Sequence, residues 1–159
     1  MSKPPPSAPR PPAGKGPAAK TAGRPLPSPT LQRYYRDDGR LRPELLDSEA
    51  EAMARRLHSV SSSQLRRFYQ DVVNLRQRLP QDPEQAEAAW EDLRAEVRLL
   101  KARVVYAHGR SEKNVPPALL RFFIDHLHSL ESARDFAAFF LHFQAVVAYH
   151  GFVGKKDEP

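Results

Sequence analysis

From about residue 44 onward, the apolar residues of this 159-residue chain recur every three or four positions, with no convincing strand-like alternation. Such a pattern confines the chain to helices packed on helices. Leu46, Ala50, Met53, Ala54 and Leu57 place a first helix over about Glu44 to His58. Ser59 and Ser61 to Ser63 then break the chain and offer caps. A second helix carries Leu65, Phe68, Tyr69, Val72, Val73 and Leu79 on one face, and Pro80 closes it. Asp82-Pro83 is a cap followed by a first-turn proline, and it opens a third helix to about Ala107. There Ala86, Trp90, Leu93, Val97, Leu100 and Val104 form a packing seam, with Gly109 expected as the C-cap glycine. Asn114, Pro116 and Pro117 start a fourth helix through Leu127. The fifth, about Ser132 to His150, is apolar nearly all round, which makes it central in the bundle or covered by a partner.

The fold class expected is therefore all-α: a compact bundle of about five helices over 44–153, behind a disordered Pro-rich arm over 1–40. Lys3 to Pro29 is mostly Pro, Ala, Gly, Ser, Lys and Arg, too poor in apolar surface to offset the entropy of ordering it. Charge is divided unevenly. Residues 1–42 carry nine Lys/Arg against two Asp, so the formal charge of +6 belongs to the arm and the rest is near neutral. Pro6 to Pro9 and Pro9 to Pro12 satisfy P-x-x-P. Three uses of the arm stay open: a peptide ligand for an SH3-type domain, a weak salt-sensitive RNA contact, and a solvated tail. No stretch approaches the roughly 18 consecutive apolar residues of a membrane span, and no apolar signal segment follows the basic N-terminus. With no cysteine, a cytoplasmic protein without membrane contact is expected.

Candidate chemistry is thin. His126 and His128 face different directions on a helix. His142 and His150 share a face but have no carboxylate at ligand spacing, and His150 falls on the core side. Serines sit where capping explains them, and Glu84/Glu87 and Glu91/Asp92 lie where acids favour the helix dipole. No Gly-rich phosphate loop exists. These readings lead to no catalytic residue, no metal and no cofactor.

The informative feature is a set of cations without local partners. Glu87, Glu91, Arg94, Arg98 and Lys101 form one stripe, in which Glu91 can pair with Arg94. Arg98, Lys101 and Arg103 have no acid three or four residues away. Arg110 and Lys113 follow with Glu112 as the nearby acid, and Arg66, Arg67 and Arg78 point off the apolar face of the second helix. A solvated helix end explains such a run, and so does contact with phosphate. Opposite its main seam the third helix also carries Ala88, Ala95, Leu99, Ala102 and Tyr106. Either it lies in the middle of the bundle or a second subunit covers that face.

Three segments carry a family resemblance. Ser62-Ser63-Gln64-Leu65-Arg66-Arg67-Phe68-Tyr69 resembles the S-Q-L-R-K-F-Y segment of the small subunit of type III-A CRISPR effector complexes. Leu99 through Arg110 resembles that family's L-K-x-K-x-x-Y-A-x-G-R stretch, and Phe139-Phe140 through Ala145-Val146-Val147-Ala148-Tyr149-His150-Gly151-Phe152 is similar to its F-F-E-A-x-V-A-Y-H-K-F ending. Gln144 replaces a usual acid, Gly151 a usual lysine and Val105 a usual alanine, with Lys155 and Lys156 restoring positive charge nearby. The resemblance covers about 44–156. It implies a non-enzymatic helical subunit whose partners are guide RNA, target RNA, other effector subunits and neighbouring copies of itself. Under it, Arg66, Arg67, Arg98, Lys101, Arg103, Arg110 and Lys155 are the expected RNA-backbone contacts. Leu99 and Tyr106 are the expected partner interface. Phe68, Tyr69, Phe140 and Phe143 are read as core, not as base-stacking residues. A small subunit of a related RNA-guided complex, or an adaptor acting through the Pro-rich arm, are the competing readings.

Overall fold

The structure, a computed structural model, describes residues 2–9 and 24–155. A short 3-10 helix, Pro43–Leu46, is followed by α1 (Ser48–Arg56), α2 (Ser62–Gln77), α3 (Pro83–Arg110), α4 (Pro117–His128) and α5 (Ala133–Lys155). Among the described residues there is no named strand, only an isolated antiparallel bridge between Tyr35 and Leu41.

Local chemistry sets the boundaries. Ser61 Oγ accepts from the Gln64 amide at 3.1 Å, and the Asp82 carboxylate from the Gln85 amide at 3.0 Å, so both expected caps are in place. The single helix expected over Glu44 to His58 is divided, because Asp47 (φ −128°, ψ −104°) leaves helical geometry between Leu46 and Ser48. The third helix does not stop at Gly109. It runs through that residue to Arg110, and extended Ser111 ends it. Beyond it, His108 Nδ1 donates to the Val115 carbonyl at 2.7 Å and pins the following loop. The last helix likewise runs past His150 to Lys155.

α5 is the centre. The 3-10 helix, α1, α2 and α3 all pack on it. Phe136, Phe139, Phe143 and Val146 are fully buried along it. Phe143 meets Phe123 edge-on at 5.5 Å between ring centroids and stacks on Phe139 at 5.9 Å. Such pairs add about 0.5–1.5 kcal/mol each beyond area burial. Over 22 residues, Ala133–Gly154, α5 is long and apolar enough to cross a membrane by length and composition, which the consecutive-run criterion did not anticipate. One face of it, with Phe136, Phe139, Phe143 and Val146, is buried by the other helices, while Leu141 and Phe152 are exposed; its buried His142 and His150 donate to the Leu45 and Leu57 carbonyls at 2.6 and 3.0 Å. Those bonds belong to the core helix of a bundle.

The segment before Pro43 departs from the expected arm. Residues 24–42 lie against the bundle as an extended strap. Its Thr30 amide donates to Asp125 Oδ1 at 2.8 Å and its Gln32 amide to Ser129 Oγ at 2.7 Å, both at the C-terminal half of α4. Tyr34 is only 3 % exposed, with its hydroxyl 2.8 Å from His126 Nδ1. Tyr35 donates to the Arg134 carbonyl at 2.6 Å, while the Arg134 guanidinium lies over the Tyr35 ring at 3.8 Å and donates to the Gly39 carbonyl. Gly39 (φ +83°) turns the strap back at a conformation other residues resist. Composition put this stretch in the arm. Two buried or half-buried tyrosines and a few side-chain acceptors on α4 hold it down. The remainder of the expected arm, apart from residues 2–9, lies outside the described residues.

Candidate nucleic-acid interface

Ion pairs account for most cations of the strap and α1. Arg33, Arg36, Arg40, Arg42 and Arg55 each face a carboxylate, as do Arg78, Arg94 and Arg121 in the bundle. Among the described residues, no ion pair involves Arg66, Arg67, Arg98, Lys101, Arg103, Arg110 or Lys113. Arg56 and Arg76 also lack one, but lie away from this set, in clefts on α1/α4 and at the α2–α3 turn.

These cations do not form one continuous track. α3 is helical throughout, so residues seven apart share a face, and Arg98 and Arg103 stand about 140° apart around it. Glu96, Arg103 and Arg110 therefore occupy one flank, and Arg94, Arg98 and half-buried Lys101 the other. The first flank borders a groove against α2, lined by Asp71, Asn74, Leu75 and Arg78 opposite Glu96, Leu99, Leu100 and Arg103. Arg78 and Glu96 pair across it. Arg67 shares the flank of Asp71, Asn74 and Arg78 on α2 by the same spacing, while Arg66 lies further round towards solvent. Arg103 lines the groove, and helical spacing puts Arg67 and Arg110 on the same flanks beyond its lining.

Arg103 has an acid after all, seven residues back rather than three or four. Its positive charge helps hold the Glu96 carboxyl below its ordinary range, after the larger effect of the Arg78 hydrogen bond. Arg110 has no carboxylate, and its guanidinium lies 5.7 Å from the centre of the Tyr106 ring. Lys155 ends α5, and its side chain lies outside what the structure describes.

Between the two charged flanks runs the apolar ridge. Leu99 is 51 % and Tyr106 66 % exposed, and Ala88, Ala95 and Ala102 are exposed with them. The second apolar face of α3 therefore points outward, and α5, not α3, fills the middle of the bundle. Phe68 and Phe143 are buried in the core, and Tyr69 stacks on Phe140 at 6.1 Å, packed against it. Phe68 and Phe143 are thus closed to a base, while Tyr69 and Phe140 are half-buried.

No constellation for catalysis appears among these residues. Among the described residues, no group of three or more His, Asp or Glu could hold a metal ion. His126 and His142, with ring centroids 5.0 Å apart, are both held neutral by burial, His126 further by its neighbour. A cleft of about 440 Å³ opens between α2, α3 and α5, with Arg76 and Arg134 on its wall. Its one carboxylate, Glu87, is committed: its two oxygens accept from the Ala133 and Arg134 amides at 3.1 Å each, capping α5 from another helix.

Sequence spacing missed Arg24. Its guanidinium lies 3.2 Å from Glu112, the acid of the α3–α4 loop, across 88 residues of sequence. No periodicity announces such a pair.

No curated protein matches this chain, and no solved structure does. A family model described as Csm2 Type III-A matches residues 40–156, the bundle and the end of the strap. That span is well over half of the chain and contains every candidate cation on α2 and α3. The chain therefore belongs to the Csm2 Type III-A family and is a subunit of the type III-A CRISPR complex, with other Csm subunits as its partners.

Proposed function

We propose that this chain is a non-catalytic subunit that holds guide and target RNA by their backbones within the type III-A interference complex, in the cytoplasm, during antiviral defence. The observation carrying this reading is the cluster of exposed arginines on α2 and α3 that form no ion pair, in a domain whose other arginines are mostly paired. An arginine left unpaired keeps its guanidinium fork available for phosphate oxygens. Contacts of that kind position a strand without reading its bases, so sequence choice falls to base pairing with the guide. Arg67 on α2 and Arg103 and Arg110 on α3 share the groove side by helical spacing, with Arg66 further round towards solvent. Arg98 and Lys101 on the other flank form a second contact line, and Lys155 adds charge at the end of α5. The ridge of Leu99 and Tyr106 between the lines suits a neighbouring subunit or copy. Target cleavage is left to other subunits of the complex.

The test is fluorescence anisotropy with a labelled 20-nucleotide single-stranded RNA across 50–200 mM KCl. Arg66, Arg67, Arg103 and Arg110 replaced together by Ala should flatten the log K against log salt slope by about 3, with little change in melting temperature. An unchanged slope, or a large loss of stability with unchanged binding, would show these arginines to be structural.

A further inference from the structure

α2 packs on α5, and α3 on α4 and α5, rather than chiefly on each other. A groove of about 190 Å³ is left between them. That is well under the roughly 300–1,000 Å³ of pockets for drug-sized ligands, so it suits one small ring system. Its bottom is apolar, made by nearly buried Leu75 and Leu100. Arg78 and Glu96 close one end by pairing across it.

Away from that pair the groove carries polar groups with nothing to bond. Asp71 takes part in no ion pair, although Arg67 stands four residues before it and Arg103 lines the facing wall. No hydrogen bond reaches its carboxylate either. Among the described residues, no buried side-chain oxygen or nitrogen lacks a partner. The Asp71 oxygens are therefore accessible, on a half-buried residue of the groove wall. One turn on, Asn74 Oδ1 accepts from Gln70 Nε2 at 2.9 Å, which leaves the Asn74 amino group free to donate. An open carboxylate and an open donor thus lie about 4.5 Å apart along the axis of α2.

A carboxylate among these cations repels a phosphate, so the groove itself is no path for RNA backbone. It suits a group with two adjacent N–H donors. Among the four RNA bases, only guanine presents two neighbouring donors, N1–H and the N2 amino group, beside an acceptor, O6, on one edge. Adenine and cytosine each offer one amino donor beside ring acceptors, and uracil one N–H between two carbonyls. Single-stranded RNA exposes such edges on its unstacked bases. We propose that the α2–α3 groove is a guanine-binding site for single-stranded RNA. The Asp71 carboxylate accepts from N1–H and the N2 amino group, the Asn74 amide donates to O6, and Arg103 takes a flanking phosphate. Both bonds to Asp71 end on an ionised acceptor, which makes them roughly twice as strong as neutral ones. The site rests on the RNA-backbone reading above and adds a base preference to it.

The experiment is fluorescence anisotropy on the full-length chain at about 100 mM KCl with three labelled 20-nucleotide RNAs. One is all uridine, one has a single central guanosine, and one has inosine in that place, which lacks the N2 amino group. Wild type should bind the guanosine strand about 10-fold more tightly than the uridine strand, within the range of one bidentate base contact, with the inosine strand between. Asp71→Ala should bind all three alike, and the uridine strand no more weakly than wild type does, since only a negative charge is lost. Asn74→Ala, which tests the site independently of the carboxylate, should lose part of the preference. Equal binding of the three strands by wild type overturns the guanine site, and leaves the backbone reading standing if replacing Arg66, Arg67, Arg103 and Arg110 still flattens the salt slope. A guanosine preference that survives Asp71→Ala overturns it too, as does an Asp71→Ala variant that weakens all three strands equally. Wild type that binds none of the strands overturns both readings.

Discussion

Tyr34 and His126 show how much rests on a pair 92 residues apart. The phenol supplies a hydrogen bond to an imidazole that burial keeps neutral, with the buried His142 ring beside it. Of the histidines, spacing places only His150 on the core side, and the burial of His126 and His142 comes from how α4 and α5 pack. The tyrosine partner is not legible either, because nothing in the composition of the strap marks Tyr34 as buried. The sign of the pH effect follows from the depressed values. The unfolded chain takes up protons near pH 6.5 that the folded chain does not, so stability is fully present above that pH and falls as pH drops through it. Melting temperature should be flat near pH 8 and decline below about pH 6.5. Tyr34→Phe/His126→Leu should shrink the decline, and an identical pH profile in the two proteins would contradict the assignment. Glu87 is a second residue whose role spacing conceals. On α3 it reads as an acid in a favourable first half, yet it caps α5. Glu87→Ala should cost about 1 kcal/mol by denaturant unfolding, the ordinary value of a lost cap; no measurable change would remove that role.

All five helices are legible from apolar spacing, and the two side-chain caps at Ser61 and Asp82 are where local chemistry puts them. Boundaries fail where tertiary contacts decide them. Gly109 has the freedom to end a helix, but α3 continues through it because the His108–Val115 bond and extended Ser111 set the C-cap two residues later. Spacing also shows that α3 has two apolar faces without saying which one is outside. The structure turns Leu99 and Tyr106 outward, and this separates two kinds of substitution. Leu99→Asp/Tyr106→Asp should leave stability within about 0.5 kcal/mol per site and weaken co-purification with other Csm subunits. Trp90→Ala, which empties a buried site against Phe136 and removes the bond to the Glu131 carbonyl, should cost about 3–5 kcal/mol. A ridge variant that unfolds, or that co-purifies as wild type does, would contradict a free interface there.

For the molecule as a whole, the near-neutral net charge of the bundle hides an uneven surface. Pairing neutralises many arginines locally and leaves the α2–α3 groove flank and the α3–α4 corner positive. Arg98, Lys101 and Arg103 were legible as residues lacking acids three or four positions away, whereas Arg67 has Asp71 at that spacing and no ion pair with it. Their division between two flanks follows from how α3 is turned in the bundle, and the groove is a product of packing that no spacing in α2 or α3 alone contains. The account is tested most directly by purifying the tagged full-length protein from its native cells, with sequencing of bound RNA and mass spectrometry of bound proteins. It predicts short RNAs sharing a repeat-derived end, recovered with the other Csm subunits, and loss of those RNAs at lower salt when Arg66, Arg67, Arg103 and Arg110 are replaced. Recovery of the protein alone, or with Csm subunits whose RNA retention is unaffected by those replacements, would contradict it.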